Sequence, residues 1–228
     1  MMKKFLFVLL ATAMIVHTNA QKGESKDYAR MKEEITQKIF GTPDSLFESN
    51  TVPEQYKNES TVILAQKQQL ESDANFKFKF GFFGSSSGNK FTFYKTFREK
   101  VFINDQSSLD DYSQLNFSKL QAKRSGYLGK MKNYSFMNIR LIKPNGTVKN
   151  IDVSESTVTL EEGNDKAKNK IAIPDLSIGD IIDYYVVNFY EEEGMVGSGG
   201  STVDYLLEEN YPIVNYLLSL QFNRRIAP

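Results

Sequence analysis

Alternation of apolar and polar residues is the dominant pattern in this chain and predicts β-strands. The segment FKFKFGFF (76–83) alternates phenylalanine with lysine, and FTFYKTFREKVFI (91–103) alternates again after a stretch of serine, glycine and asparagine at 85–89. A period of two places every second side chain on one face of a strand. Because serine, glycine and asparagine favour turns, residues 85–89 are predicted to join the two strands as an antiparallel hairpin.

The same pattern predicts further strands along the rest of the chain. A second hairpin is predicted over 134–153, because Pro144, Asn145 and Gly146 supply turn chemistry. The other predicted strands cover 60–72, 156–162, 170–174, 181–193, 202–209 and 211–224. Strands outnumber helices and do not alternate regularly with them. The predicted fold class is therefore mainly β, an antiparallel β-sandwich with a short helical N-terminal extension.

One amphipathic helix is predicted near the N-terminus, over residues 26–40. Gly41 and Pro43 follow it and are typical of the residues that end a helix. Its apolar residues lie three and four positions apart and form one stripe. They are Tyr28, Met31, Ile35 and Ile39.

A second, shorter helix is predicted over 107–117. Ser108 is the predicted N-cap, and Asp111 three residues later suits a capping box. The basic, glycine-containing segment 123–133 is predicted to be a loop, and the glycine-rich segment 194–201 is predicted to be another.

The first 20 residues have the pattern of a cleavable secretory signal. Lys3 and Lys4 precede the apolar stretch 5–16, and Ala20 supplies the small residue at the cut point. The stretch is too short to span a membrane, which takes about 20 apolar residues. We therefore expect an exported protein, periplasmic, surface-bound or secreted. The expected organisation is a signal peptide (1–20), a helical and irregular extension (21–51) and a β-sandwich domain (52–228).

The composition excludes several kinds of active site. The chain has no cysteine, and its one histidine, His17, lies inside the predicted signal. Residues 21–228 therefore cannot form a site that needs an imidazole base, a thiolate nucleophile or histidine and cysteine metal ligands. Removing Lys3 and Lys4 from the 28 basic residues leaves 26, against 28 acidic residues. This near-neutral balance gives no electrostatic case for nucleic acid or an anionic membrane, and no cofactor or metal is predicted.

Carboxylates are the remaining candidates for catalysis or calcium binding. Asp175, Asp180 and Asp183 cluster around one predicted turn, where a pair of carboxylates could hydrolyse a glycosidic bond. The simpler alternative is that they cap the turn. The acidic run 191–193 could bind calcium, but it lacks the interleaved glycine and asparagine of a calcium loop, and a solvated strand end is the alternative.

Basic and aromatic clusters could recognise a ligand. Tyr184, Tyr185 and Tyr190 lie on one predicted strand and could form a sugar-binding platform, although core packing is the alternative. A basic stretch interleaved with tyrosines could contact an acidic polymer, or could be a solvated loop. It contains Lys119, Lys123, Arg124, Tyr127, Lys130, Lys132 and Tyr134.

Several blocks together resemble one family. They are VPEQYKNESTVILAQKQQLE (52–71), RLIKPNGTVKNIDV (140–153), KIAIPDLSIGDIIDYYVVNF (170–189) and NYPIVNYLLSL (210–220). They resemble the N-terminal β-sandwich domain, of unknown function, that precedes a transglutaminase-like domain in exported bacterial proteins. The most specific block is a turn motif, whose matching residues are Pro174, Asp175, Leu176, Gly179, Asp180, Ile182 and Tyr184.

This resemblance implies an accessory role. In that family the Cys–His–Asp site belongs to the following domain, so no catalytic residue carries over, and the chain is expected to be the front part of a longer protein. The expected function is a non-catalytic module that positions or recognises a peptide, cell-wall or glycan substrate. A free-standing carbohydrate-binding module and a hydrolase that uses only carboxylates are the alternatives.

Overall fold

The protein is mainly β, with two open sheets and a few helices. The computed structural model describes residues 25–81, 84–117, 121–126, 129–153, 157–159, 169–194 and 210–225. The predicted signal peptide and most of the segment 194–209 lie outside these residues, so their predictions are not tested. Among the described residues, no helix has the length and apolar character needed to cross a membrane.

The strands and helices have the following bounds. The described part of the chain contains ten strands: β1 (Thr61–Gly81), β2 (Gly84–Ile103), β3 (Gln114–Phe117), β4 (Gln121–Gly126), β5 (Gly129–Ile142), β6 (Val148–Ile151), β7 (Thr157–Thr159), β8 (Asn169–Ala172), β9 (Ile181–Gly194) and β10 (Tyr216–Arg225). The helices are α1 (Lys26–Phe40), α2 (Gln106–Tyr112) and the two short 3-10 turns Ser45–Phe47 and Glu54–Tyr56.

The larger sheet contains seven strands and is built around the long β1–β2 hairpin. Its order is β10-β1-β2-β9-β5-β4, with β6 also paired to β5. The predicted hairpin is confirmed, but its predicted turn at 85–89 is wrong. The chain reverses between Gly81 and Gly84, and residues 85–89 pair with 76–80 as part of β2. Because the ladder depends on backbone hydrogen bonds, a run of serine and glycine can continue it when a partner strand lies alongside.

The expectation of purely antiparallel strands fails at one edge of this sheet. Strand β10 pairs with β1 in parallel, from Gln66 opposite Tyr216 to Asn75 opposite Arg225. A second, three-stranded sheet has the order β3-β8-β7. Both sheets remain open, so the structure is less regular than the predicted sandwich.

The two faces of the larger sheet cover different cores. Side chains alternate across a strand, so Tyr134, Phe136, Tyr185, Val187 and Phe189 all point to the side on which α1 lies, here called the helix face. On the other face, Ile139, Leu141 and Ile182 pack with residues of the three-stranded sheet, such as Ile171. We call this second side the small-sheet face.

Helix α1 is confirmed, and the structure explains its position. Ser25 caps its start by accepting a hydrogen bond from the Tyr28 amide, and Gly41 caps its end. The apolar stripe of Tyr28, Met31 and Ile35 is buried against the helix face. The Tyr28 ring stacks on Phe136 at 4.7 Å between centroids. Because α1 crosses only part of this face, residues 67–73 of β1 and 90–96 of β2 border an open groove beside it.

Two local predictions are wrong in detail. Helix α2 ends at Tyr112, and its N-cap is Asp105, with Ser108 at the third helical position of the capping box. Residues 114–117 form β3 instead of continuing the helix, because Leu115 and Phe117 pack into the core of the small-sheet face. The segment 123–133 is not a loop, since β4 and β5 pair across it as a hairpin.

Candidate binding groove

A groove runs along the open part of the helix face, beside α1. Its wider part is a cleft of about 630 Å³, which includes Glu34 and Lys38 of α1, Asp44, and Lys67, Gln69, Glu71, Tyr94, Thr96 and Arg98 of the hairpin. An adjoining cleft of about 460 Å³ shares Glu71 and Tyr94 with it. This second part also includes Ser72, Asp73, Lys90, Thr92, Gln221 and Asn223. Together the two clefts are called the groove here.

The register of the hairpin builds the floor of the groove. Gln69 lies opposite Thr96, and Glu71 lies opposite Tyr94. Residues two apart on one strand share a face, so these positions follow one another along β1 and β2. Gln221 of β10 is in register with Glu71 and extends the floor to the sheet edge. Thr92, Tyr94 and Thr96 share this face, because the residues between them, Phe93 and Lys95, point to the opposite face.

The groove combines many charged and polar side chains with apolar surface from Ile35, Ile39 and Val187, and its charges are balanced. Its four acidic side chains, Glu34, Asp44, Glu71 and Asp73, are matched by the four basic side chains Lys38, Lys67, Lys90 and Arg98. Several are already paired within the protein. Lys38 Nζ lies 3.1 Å from Glu71, and Lys67 Nζ lies 3.1 Å from Asp44. The surface therefore offers no excess charge of either sign to a ligand.

Tyr94 is the central aromatic residue of the groove. Its ring packs against Phe189 with 4.8 Å between centroids. Burial raises the pKa of its phenol, and the nearby carboxylates of Glu191, Glu71 and Glu34 raise it further. The phenol therefore stays protonated at neutral pH and can donate a hydrogen bond. No hydrogen bond joins the Tyr94 hydroxyl to any residue in the described part of the chain, which leaves this donor available to a ligand.

A buried ionic cluster fixes the floor of the groove and the end of α1. The Asp183 carboxylate accepts two hydrogen bonds from Arg98, at 3.0 and 2.9 Å, and a third from Arg140. Arg98 also donates to the Ile39 carbonyl at 3.0 Å. Its guanidinium lies 3.9 Å from the centre of the Phe47 ring. The cluster joins α1, the sheet and the following turn, which is a structural role.

Lys100 is a second buried cation on this face. Its ammonium group donates to the carbonyls of Phe47 and Ser49, at 2.6 and 2.9 Å. Burial lowers the pKa of Lys100, and the nearby Asp183 opposes that shift. These bonds hold the segment after α1 against the sheet, so they fix one end of the groove.

The three tyrosines predicted as a sugar platform do not share one exposed surface. Tyr185 points to the helix face, where it is fully buried and its hydroxyl lies 2.7 Å from that of Thr36. Tyr184 points the other way and donates to Glu99, and Tyr190 donates to Glu192. Adjacent residues of a strand face opposite sides, so Tyr184 and Tyr185 cannot form one platform. Tyr185 is instead part of the core, as the alternative interpretation of these tyrosines predicted.

The predicted carboxylates are held by separate partners, and none of the three lines the groove. Asp175 pairs with Lys149, and Asp183 belongs to the buried arginine cluster. Asp180 is buried and accepts hydrogen bonds from Lys143 and from the Ser177 amide. Three carboxylates close in sequence therefore have three different structural roles. In the acidic run, Glu191 pairs with Lys90 and Lys132, and Glu192 accepts from Tyr190.

The turn motif of the family resemblance has a clear structural role. Gly179 has φ +93°, a left-handed conformation that suits glycine. The Gly179 amide donates to the Ile103 carbonyl at 2.7 Å, and the Ile103 amide donates to the Asp180 carbonyl at 2.9 Å. Asp175 also has a positive φ, of 62°. Pro174, Leu176 and the rest of the motif thus form the turn that leads into β9, and they do not line the groove.

The predicted basic stretch is partly neutralised by α1. Lys123 and Lys132 both lie within ion-pair distance of Asp27, at 3.3 and 3.1 Å. Burial raises the pKa of Asp27, but hydrogen bonds from Lys132, Arg30 and Lys123 outweigh it and hold that pKa well below its usual range. Lys119 and Tyr127 lie outside the described residues. Lys123 and Lys132 of this stretch therefore join the sheet to α1, while Arg124 and Lys130 are exposed.

Sequence reasoning did not find the groove. Its walls come from segments spread along the chain from Glu34 of α1 to Asn223 of β10, and no local motif marks them. The signal that could have drawn attention to it is the polar face of β2, where Thr92, Tyr94 and Thr96 alternate with Phe91, Phe93, Lys95 and Phe97. Comparison with protein family models, with curated proteins and with solved structures gave no match for this chain.

Proposed function

We propose that this chain is a non-catalytic, exported binding module. In this proposal its groove holds a neutral or zwitterionic extended ligand, a peptide or a glycan. The observation that carries the proposal is the groove itself, which mixes polar and apolar surface and has balanced charge. A polyanion or a polycation would find no complementary surface there, because complementary potentials are what favour charged partners.

A binding role also agrees with the chemistry of the residues present. Residues 21–228 contain no histidine and no cysteine. The groove carboxylates are engaged by neighbours, as Glu34 is by Arg30 and Glu71 is by Lys38 and Gln69. These pairs fix the shape of the groove. Tyr94 and Thr96 remain to contact a ligand.

The accessory part of the proposal is supported by the resemblance in the turn motif. On that basis we propose that the two sheets represent the sandwich-type domain that precedes transglutaminase-like domains. Any catalytic Cys–His–Asp site would then belong to a different domain of the same protein. The ligand bound here would be the substrate that the catalytic domain acts on.

Calorimetric titration of the purified protein tests the binding role. The panel contains chitooligosaccharides, glycine- and alanine-rich zwitterionic peptides, and polyglutamate as a polyanion. We expect an oligosaccharide or a peptide to bind, with an affinity that changes less than about threefold between roughly 0.05 and 0.5 M salt, since no net charge is neutralised. Polyglutamate is expected not to bind. Binding of polyglutamate alone, or of nothing in the panel, would contradict the proposal.

A pair of matched variants locates the binding site. Thr96→Phe places a large ring on the groove floor and is expected to weaken binding at least about tenfold, the effect of losing roughly 1.4 kcal/mol. Thr147→Phe makes the same change in the exposed turn between β5 and β6. This control is expected to leave the affinity unchanged. Equal affinities for both variants would place the ligand elsewhere on the molecule.

A free-standing carbohydrate-binding module is the second candidate. It is favoured by the combination of an aromatic ring, Tyr94, with the side-chain amides of Gln69, Gln221 and Asn223 along one floor. Amides and hydroxyls hydrogen-bond sugar hydroxyls, and a ring covers the apolar face of a sugar. This candidate predicts binding of oligosaccharides but not of peptides, with affinity lost in Tyr94→Ala and largely kept in Tyr94→Phe.

A further inference from the structure

Strand β10 forms an edge of the larger sheet that lacks the usual protection. Among the described strands it pairs only with β1. Edge strands normally carry charged residues, prolines or bulges that prevent pairing with another chain. At the opposite edge β4 carries Lys123 and Arg124. In β10 the charged residues are confined to Arg224 and Arg225 at the end of the strand, and residues 216–223 contain no charged residue and no proline.

The exposed side chains of β10 form an apolar stripe on one face. Leu220 and Phe222 are 51% and 65% exposed, and Leu218 is also exposed. They lie beside Gln68, Leu70 and Ser72 of β1 and share the small-sheet face. On its opposite face, β10 carries Leu217 followed by the polar residues Ser219, Gln221 and Asn223. Covering this stripe is favourable, because it removes leucine and phenylalanine side chains from water.

The hydrogen-bond pattern fixes which backbone groups of β10 face outward. The Gln66 amide donates to the Asn215 carbonyl at 2.8 Å. In a parallel pair, alternate residues bond the same neighbour, so the odd-numbered residues of β10 turn their amides and carbonyls to β1. The even-numbered residues, which are also those with the apolar side chains, turn theirs to the open edge.

This pattern is self-complementary about Leu220. In an antiparallel pair of two β10 strands centred there, Leu220 lies opposite its own copy and Leu218 lies opposite Phe222. Every even-numbered residue then meets an even-numbered residue, so outward amides and carbonyls pair and the apolar stripes of the two copies become continuous. A two-fold axis requires this kind of self-matching surface.

We propose that β10 is a dimerisation edge and that its partner is a second copy of this chain. Two seven-stranded sheets then join across antiparallel β10 strands into one continuous sheet. The helix-face groove of each copy extends onto β10 through Gln221 and Asn223. The two grooves of the dimer therefore end at the same junction.

Analytical ultracentrifugation tests the association. The purified protein is expected to sediment with twice the monomer mass as its concentration rises. Leu220→Lys places two like charges opposite each other and is expected to weaken the dimer about tenfold or more. Ile178→Lys makes the same change at a side chain that is also 51% exposed, in a turn away from β10, and is expected to leave the dimer intact. A monomer at all concentrations, or equal weakening by both variants, would overturn the proposal.

Cross-linking tests the register. The chain contains no cysteine, so a single introduced cysteine can form a disulfide only with another molecule. Opposed residues of a hydrogen-bonded antiparallel pair have Cα atoms about 5.5 Å apart, within disulfide range. With diamide as the oxidant, Leu220→Cys is expected to cross-link rapidly. Leu217→Cys, which points to the other face and lies opposite Asn223, is expected to cross-link slowly. Equal rates would overturn the proposed register.

Discussion

The buried cluster around Asp183 gives the sharpest prediction of stability. The change is Asp183→Asn, which keeps the size of the side chain and removes its charge. Asp183 is 1% exposed and receives three hydrogen bonds from Arg98 and Arg140. An asparagine can accept at one oxygen only, and its amide group would face a guanidinium that also donates. The buried Arg98 and the partly exposed Arg140 would lose their counter-charge.

The expected magnitude follows from the burial of the pair. Removing one partner of a buried, hydrogen-bonded ion pair costs about 3–5 kcal/mol, mainly because the remaining charge stays buried. A domain of this size has an unfolding free energy of about 5–15 kcal/mol, so the variant should lose a large part of its stability. The segment after α1 should loosen first, because Arg98 also holds Ile39 and Phe47.

Urea unfolding followed by circular dichroism measures this effect, and a matched variant controls it. Asp175→Asn makes the same change in an ion pair with Lys149, where the aspartate and lysine side chains are 68% and 47% exposed. Exposed pairs contribute about 0–1 kcal/mol. Asparagine also tolerates the positive φ at this position. A loss below about 1 kcal/mol in Asp183→Asn, similar to that of the control, would refute the reasoning about the buried cluster.

Two further predictions concern α1 and a turn. The pKa of Asp27 is lowered in the folded state, so its stabilising effect is complete above the unfolded pKa of about 3.9 and is lost as pH falls through the folded value. The stability difference between wild type and Asp27→Asn should thus be constant from about pH 7 to 5 and shrink below about pH 4; an unchanged difference in acid would contradict the assigned ion pairs. Gly146→Ala should cost about 1–2 kcal/mol in the same urea assay, because φ is +83° and only backbone strain is added, with no atom within 4 Å of the new Cβ; an unchanged midpoint would contradict that backbone conformation.

The elements that could be predicted are those with a strong local pattern. The apolar stripe of α1 and the alternation in β2 and β9 were sufficient to predict these elements, because the period of a pattern shows which side chains share a face. The turn at Gly146 was also predicted, since Asn-Gly favours a positive φ. The turn before β9 was predicted as well, from Pro174 and Gly179, and Gly179 has the positive φ that suits such a turn.

The features that could not be predicted depend on partners distant in sequence. The hairpin reverses before Gly84 because residues 85–89 have a pairing partner in 76–80, which no local turn preference reveals. The parallel pairing of β10 with β1 joins strands about 150 residues apart. The groove has the same origin, because it forms only when α1 lies on one part of the helix face and leaves Tyr94 and Thr96 open.

Chemical-shift mapping of the backbone amides during a ligand titration tests the central claim most directly. The ligand is the oligosaccharide or zwitterionic peptide from the calorimetric panel that binds the purified protein. The binding-groove account predicts that the largest shifts occur at 67–73 and 92–96, with smaller shifts at Glu34 and Lys38 of α1. Shifts confined to the three-stranded sheet or to the turn at 174–180, with the groove residues unchanged, would contradict it.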